Sequence, residues 1–196
     1  MRRLRALALL LCLLPLGSAA AQEAPPWPDP PTVITIPTIG LTAPVVAIGL
    51  ENDGSMGAPT DPDTVGWYDL GPGLGEPGNL LVDGHVDWGG RLRTFGRLRQ
   101  VAVGDGVQLA DADGQVVSYR VVATRWLDAD TTDLADVFGQ TPDQQLTLIT
   151  CGGEFDQARQ VYLSRLVVRA VRDDPPPASD GAQDTLLPLP FPPTPN

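Results

Sequence analysis

The chain has 196 residues, 42% of them hydrophobic, and carries 24 Asp or Glu against 13 Lys or Arg, which gives a formal net charge of −11. This acidic balance argues against a nucleic-acid partner, because binding to phosphates requires a basic surface. It is typical instead of a charged surface that keeps a protein in solution.

The first 21 residues have the three parts of a secretory signal peptide. A positively charged start (2–5) precedes an apolar region (6–16) and a small-residue cleavage site that ends at Ala21. We therefore predict a signal peptide over 1–21 and an extracytoplasmic protein, either secreted or held on the outer side of the cytoplasmic membrane. The apolar region is shorter than the roughly 20 residues that a membrane span needs, and an uncleaved N-terminal anchor is the alternative.

Removal of the signal peptide changes the number of cysteines and the net charge. Cys12 is lost, which leaves Cys151 as the only thiol, and the loss of three arginines leaves 10 basic against 24 acidic residues, a net charge of −14. A lone thiol is a liability in an oxidising compartment, so its presence indicates a use.

Proline marks the ends of the folded part. Five of the 21 prolines lie in residues 22–31 and eight lie in residues 173–196, a composition typical of an extended linker and a disordered tail. The body between them, residues 32–172, is long enough for one domain with its own core.

The body consists of short strand patterns separated by turns. Strands are predicted at 33–36, 44–48, 79–83, 107–109, 116–126, 145–150 and 161–171. Helix is confined to a turn at 94–98 and a short helix at 132–138, which Thr131 or Thr132 would cap and Asp133 would stabilise at its start. About eight strands with so little helix predict an all-β fold, a closed or nearly closed barrel with short helices in its loops.

Two of these strands end at reactive side chains. The strand at 145–150 runs into Cys151-Gly152-Gly153, and the strand at 79–83 is followed by Gly84 and by His85, the only histidine. We expect the glycines after Cys151 to turn the backbone away and leave the sulfur open to a ligand. If the two strands lie in one sheet, the thiol and the imidazole meet at its edge.

Arg165 is the third candidate. Alternation puts it on one face of the last strand with Val167 and Arg169, and pairing of this strand with the preceding one brings it near Cys151. Acyl transfer by a thiol needs a nucleophile, a proton donor for the leaving amine and a positive group near the oxyanion. Cysteine, histidine and arginine supply these in turn, and the arginine stays charged.

Each of these residues also has an ordinary structural reading: Cys151 as core, His85 as a solvated loop residue and Arg165 as a surface cation. One Cys and one His are too few for a closed zinc site, and no cofactor is predicted. A thiol enzyme that passes an acyl group to water, and an extracellular binding barrel without catalysis, both remain open.

A resemblance narrows the choice. Thr147-Leu148-Ile149-Thr150-Cys151 resembles the Thr-Leu-x-Thr-Cys signature of the sortases, the cysteine transpeptidases of bacterial cell surfaces. The similarity continues, in the order of the family, through 36–45, 84–98, 103–105 and Arg165. Residues 59–68 and 151–156 most resemble the class E/F sortases of high-GC bacteria.

The resemblance implies an eight-stranded sortase barrel and a thioester mechanism. Cys151 would cleave a Leu-Pro-x-Thr-Gly-type sorting signal between Thr and Gly, His85 would protonate the leaving amine, and Arg165 would hold the substrate and the oxyanion. An amine of a cell-wall precursor or of a pilin would then take the acyl group.

The resemblance also implies substrate contacts. The connection at 127–142, which begins at Leu127, corresponds to the substrate-recognition segment of the family; Thr150 would contact the bound peptide and Asp87 would orient His85. Some sortases bind calcium, although loop acids are usually just solvated. The acids that could contribute here are Asp61, Asp63, Asp128, Asp130, Asp133 and Asp136.

Overall fold

The computed structural model describes residues 30–173. The predicted signal peptide, most of the predicted linker (22–31) and the tail beyond residue 173 lie outside the described residues. The strands are β1 (Val33–Ile36), β2 (Leu41–Ile48), β3 (Val65–Tyr68), β4 (Gly78–Gly84), β5 (Asp87–Trp88), β6 (Arg91–Leu92), β7 (Gly106–Ala110), β8 (Val116–Asp128), β9 (Gln144–Asp156) and β10 (Val161–Arg172). Helix α1 spans Ala135–Phe138, and two 3₁₀ helices span Pro37–Ile39 and Leu98–Gln100.

Eight of the strands form a closed barrel in the order β1-β2-β3-β4-β9-β10-β8-β7. The β2–β3 and β4–β9 pairs are parallel and the other neighbours are antiparallel. Strands β5 and β6 form a separate hairpin outside the barrel. The prediction of an all-β, eight-stranded closed barrel with short helices in its loops is confirmed.

The barrel core follows from alternation along the strands. In β10, Leu166, Val168 and Ala170 face the interior, as the two-residue period predicts. Val167 points outward, into a second apolar cluster with Ile149 of β9 and Val137 of α1. The middle parts of β9 (146–150) and β10 (166–168) are therefore buried on both faces; each buried Leu, Ile or Val contributes about 1.5–3 kcal/mol.

The expectation that the chain turns away after Cys151 is wrong. Strand β9 continues through Gly152 and Gly153 to Asp156, because β10 pairs with it from end to end. The glycines are needed for space: a Cβ on Gly152 would lie 2.5 Å from Cζ3 of Trp126, and one on Gly153 would lie 2.8 Å from Oγ of Ser164. Cys151 thus lies within a strand and not at its end.

The predicted helix at 132–138 is also shorter than expected. Helix α1 begins after Leu134 and receives no side-chain cap, so the predicted cap by Thr131 or Thr132 is wrong. The amide of Thr131 instead closes a turn onto the carbonyl of Asp128. The Asp133 carboxylate does accept a hydrogen bond from the amide of Ala135 at the start of the helix, consistent with the preference for acids there.

Candidate active site

The sheet brings the two reactive residues to the same end of the barrel. Strands β4 and β9 are parallel neighbours with Asp83 opposite Ile149, so His85 and Cys151 each follow this pair by two residues. The buried hydroxyl of Thr150 donates a 2.6 Å hydrogen bond to the carbonyl of Gly84 and ties the two segments together. The predicted placement of both strands in one sheet is confirmed.

Arg165 lies directly opposite Cys151 in the β9–β10 ladder and opposite Leu127 in the β8–β10 ladder. Cys151, Arg165 and Leu127 therefore form one row across three strands. The Arg165 guanidinium donates from Nη1 to the carbonyls of Tyr162, at 3.0 Å, and Ser164, at 3.1 Å. These hydrogen bonds fix the positive charge of Arg165 against its own strand, which hairpin pairing places next to the strand of Cys151.

The thiol of Cys151 is partly buried and is free among the described residues. Burial raises the pKa of Cys151, while the positive charge of Arg165 lowers it and the carboxylates of Asp83 and Asp87 raise it further. Because the raising effects prevail, the resting group is a thiol. A base must therefore take its proton before it attacks a carbonyl.

His85 is held by two contacts. Its Nε2 lies 2.8 Å from the carbonyl oxygen of Pro59, and its ring meets the indole of Trp88 edge-on with centroids 5.0 Å apart. A carbonyl only accepts hydrogen bonds, so Nε2 carries the hydrogen and Nδ1 is left as the ring nitrogen that can accept a proton.

Two cavities meet at the thiol. The first, which we call the Phe138 cavity, has a volume of 370 Å³, and its lining includes Met56, Asp83, Leu127, Leu134, Phe138, Cys151 and Arg165. The second, the Arg99 cavity, has a volume of 350 Å³, and its lining includes Val86, Leu92, Phe95, Arg99, Trp126, Cys151 and Tyr162. Within residues 30–173, Cys151 is the only lining residue that the two cavities share.

Comparison with known proteins assigns the family. The profile of the Sortase domain matches residues 34–173. The chain belongs to the sortase family. The family resemblance seen in the sequence is thereby confirmed, and this sortase is a cysteine transpeptidase.

Solved sortases share its fold. Sortase C1 from Streptococcus agalactiae is 23% identical over 74% of this chain and 68% of that chain, with a TM-score of 0.56. Sortase A from Corynebacterium diphtheriae, a lid mutant, is 25% identical over 81% and 77%, with a TM-score of 0.58. Sortase C-1 from Actinomyces oris is 23% identical over 72% and 73%, with a TM-score of 0.56. A search of curated protein sequences finds no match, and the class E/F assignment stays a prediction.

The residues predicted to contact substrate or to orient His85 lie in different parts of this sortase's site. Leu127 lines the Phe138 cavity. Thr150 lines the Arg99 cavity, but its hydroxyl is occupied by Gly84; its contact with substrate stays a prediction. The partner that the structure gives His85 is the Pro59 carbonyl, and orientation of His85 by Asp87 stays a prediction. Asp87 acts on Tyr162, whose pKa it helps to raise after the larger effect of burial.

Asp83 is the residue that sequence reasoning missed. Burial raises its pKa to about 6, opposed by the charges of His85 and Arg165. Its side chain lines the Phe138 cavity together with Arg165 and Cys151. The sequence feature that could have indicated Asp83 is its position: it is a single acidic residue at the end of an apolar strand, two residues before His85.

The candidate calcium ligands take part in other interactions. Asp63, Asp130 and Asp136 form ion pairs with Arg93, Arg159 and Arg125, at 3.0, 2.9 and 2.9 Å. Within residues 30–173, no group of three or more His, Cys, Asp or Glu is arranged to hold a metal ion. No helix in that range has the length and apolar character of a membrane span.

Proposed function

We propose that this sortase cleaves a Leu-Pro-x-Thr-Gly-type sorting signal between Thr and Gly and transfers the acyl group to an amine of a cell-wall precursor or of a pilin. The reaction takes place outside the cytoplasm. The observation that carries the proposal is the row in which Arg165 lies opposite Cys151, at the end of the sheet where β4 delivers His85.

The Phe138 cavity supports a peptide donor of this kind. Met56, Leu134 and Phe138 give it an apolar wall, which suits the Leu and Pro side chains of a sorting signal. Cys151 and Arg165 belong to the same cavity. A peptide seated there with its Leu-Pro end against the apolar wall would present its Thr carbonyl to the thiol.

The first half-reaction then forms a thioester. The Cys151 thiol gives its proton to Nδ1 of His85, and the sulfur attacks the Thr carbonyl carbon. The carbon–nitrogen bond to Gly breaks, and the glycine amine leaves with the proton that His85 held. Arg165 stabilises the negative charge on the carbonyl oxygen in the transition state, without a change in its own protonation.

The test is mass spectrometry of products from a panel of Leu-Pro-x-Thr-Gly peptides, with and without a glycine-based amine. We expect cleavage between Thr and Gly and ligation to the amine by the wild-type protein. The Cys151→Ala variant, shown to be folded by circular dichroism, should do neither. Activity that persists in this variant, or the absence of cleavage across the panel by folded wild-type protein, would overturn the proposal.

A further inference from the structure

The Arg99 cavity lies on the other side of the thiol from the Phe138 cavity. Its walls come from the 92–99 segment, from Trp126 of β8 and from Tyr162 of β10. Because Cys151 alone is common to both cavities, a peptide acylated on Cys151 and seated in the Phe138 cavity leaves the Arg99 cavity open. A second substrate can therefore approach the thioester from there.

The charge of this second cavity departs from that of the whole protein. Residues 91–99 contain four of the ten arginines that follow the predicted signal and no acidic residue. Arg93 pairs with Asp63, whereas Arg91, Arg97 and Arg99 have no ion pair with any described residue. On a protein with a strongly negative net charge, this segment is a local positive patch, and Arg99 carries it into the cavity.

A negative group lies near the thiol in the same region. Asp87 helps to raise the pKa of Tyr162, after the larger effect of burial; Tyr162 lines the Arg99 cavity, and the charge of Asp87 also acts on Cys151. Between these polar ends the surface is apolar, with Trp126 and Leu92 exposed by 52% and 62%. The cavity thus offers the thiol, an aromatic and aliphatic middle, and the guanidinium of Arg99.

We infer that the Arg99 cavity binds the amine acceptor, and that Arg99 selects acceptors that carry an anionic group, a carboxylate or a phosphate, on the same molecule. This inference rests on the proposed function. In the step concerned, the amine nitrogen attacks the thioester carbonyl, a carbon–nitrogen bond forms and the carbon–sulfur bond breaks. The amine proton returns to the sulfur, which regenerates the Cys151 thiol.

The test compares matched amines at equal concentrations of the neutral amine. Glycylglycine is paired with glycylglycinamide, and O-phosphoethanolamine with ethanolamine, so that each pair differs in its anionic group. Ligated and hydrolysed products of one donor peptide are measured by mass spectrometry. We expect the anionic member of at least one pair to half-saturate ligation at a two- to fivefold lower concentration, the range of a partly exposed ion pair.

The variant Arg99→Gln should lose this preference and still cleave the donor peptide in the absence of amine. Arg97→Gln is the matched control, because Arg97 is exposed on the same segment but does not line the cavity, and it should keep the preference. A preference within the glycylglycine pair alone would identify a carboxylate acceptor, and one within the phosphate pair alone a phosphate acceptor.

Two results would overturn the inference and are distinguishable. Normal donor cleavage with no preference in either pair, or with the same preference in wild type and Arg99→Gln, would refute the acceptor site and leave the proposed function standing. Failure of the wild-type protein to cleave any donor peptide would refute the proposed function and the acceptor site with it.

Discussion

The imidazole of His85 is anchored to the backbone of Pro59, 26 residues earlier in the chain, through a 2.8 Å contact between Nε2 and the carbonyl oxygen. A main-chain oxygen accepts the hydrogen on Nε2, so this contact fixes the ring and leaves Nδ1 as the ring nitrogen open to a proton. His85 can therefore accept and release a proton while its position is maintained by the 49–64 loop.

The ring contact with Trp88 gives the first prediction. Trp88→Ala removes an edge-to-face partner of His85, an interaction of about 0.5–1.5 kcal/mol. We expect kcat for donor cleavage to fall about three- to tenfold with little change in KM, because the ring loses orientation and the donor cavity is untouched. Leu70→Ala, at an exposed apolar residue outside both cavities, is the control; an equal loss there would indicate a general effect on folding.

Arg165 provides the second prediction. Replacement by Gln removes the positive charge that lowers the pKa of Cys151 and the donor expected at the oxyanion. We expect kcat for donor cleavage to fall about 10²–10³-fold, and the pH profile of thiol alkylation by iodoacetamide to move to higher pH. Arg169→Gln is the matched control, since Arg169 lies on the same face of β10 and donates to the carbonyl of Asp136. An unchanged alkylation profile in Arg165→Gln would contradict the prediction.

The partly buried carboxyl of Asp83 makes stability depend on pH. Its pKa is raised to about 6 in the folded protein from 3.8, so the folded state binds more protons than the unfolded state between these values. Asp83 therefore destabilises the fold as pH rises through this window, by at most about 3 kcal/mol above it.

Asp83→Asn tests this directly. The difference in free energy of unfolding between the variant and wild type, measured with urea from pH 3.5 to 7, should increase in favour of the variant as pH rises and level off above pH 6. Thiol alkylation at neutral pH should also become faster, because a carboxylate that raises the pKa of Cys151 is gone. Asp69→Asn, at an exposed residue, should give a flat difference; a flat difference for Asp83→Asn as well would refute the assignment.

Gly84, next to His85, gives a prediction about packing. A Cβ at this position would lie 2.7 Å from Cδ2 of Phe95, whose ring is fully buried in the core. Gly84→Ala should therefore lower the free energy of unfolding by about 1–3 kcal/mol. Gly106→Ala, in a strand position where no atom of the described part of the chain lies within 4 Å of the added Cβ, should be neutral within about 0.5 kcal/mol. Equal effects in the two variants would show that Phe95 moves away from the added Cβ without lowering the free energy of unfolding, and would contradict the prediction.

The parts of the site that follow from neighbours in the chain could be predicted. Arg165 and Cys151 lie on consecutive strands, so hairpin pairing was sufficient to bring them together. The extension of β9 beyond Cys151 could not be predicted, because Gly152 and Gly153 carry the usual signal of a turn. Part of their actual reason is space: Gly152 makes room for Trp126 of β8, which depends on packing between separate segments, and Gly153 makes room for Ser164 of the paired strand. The burial of Asp83 and the Pro59 carbonyl at His85 depend on such packing too.

The row of Leu127, Arg165 and Cys151 restricts which length changes the gene can tolerate. Residues added in the exposed turn between β9 and β10 leave the row intact, because each strand is paired on both of its edges. A single residue added within β10 before Arg165 would point the guanidinium to the opposite face and bring a neighbour opposite the thiol. We therefore expect natural relatives to carry insertions at residues 157–160. We expect none directly before Arg165.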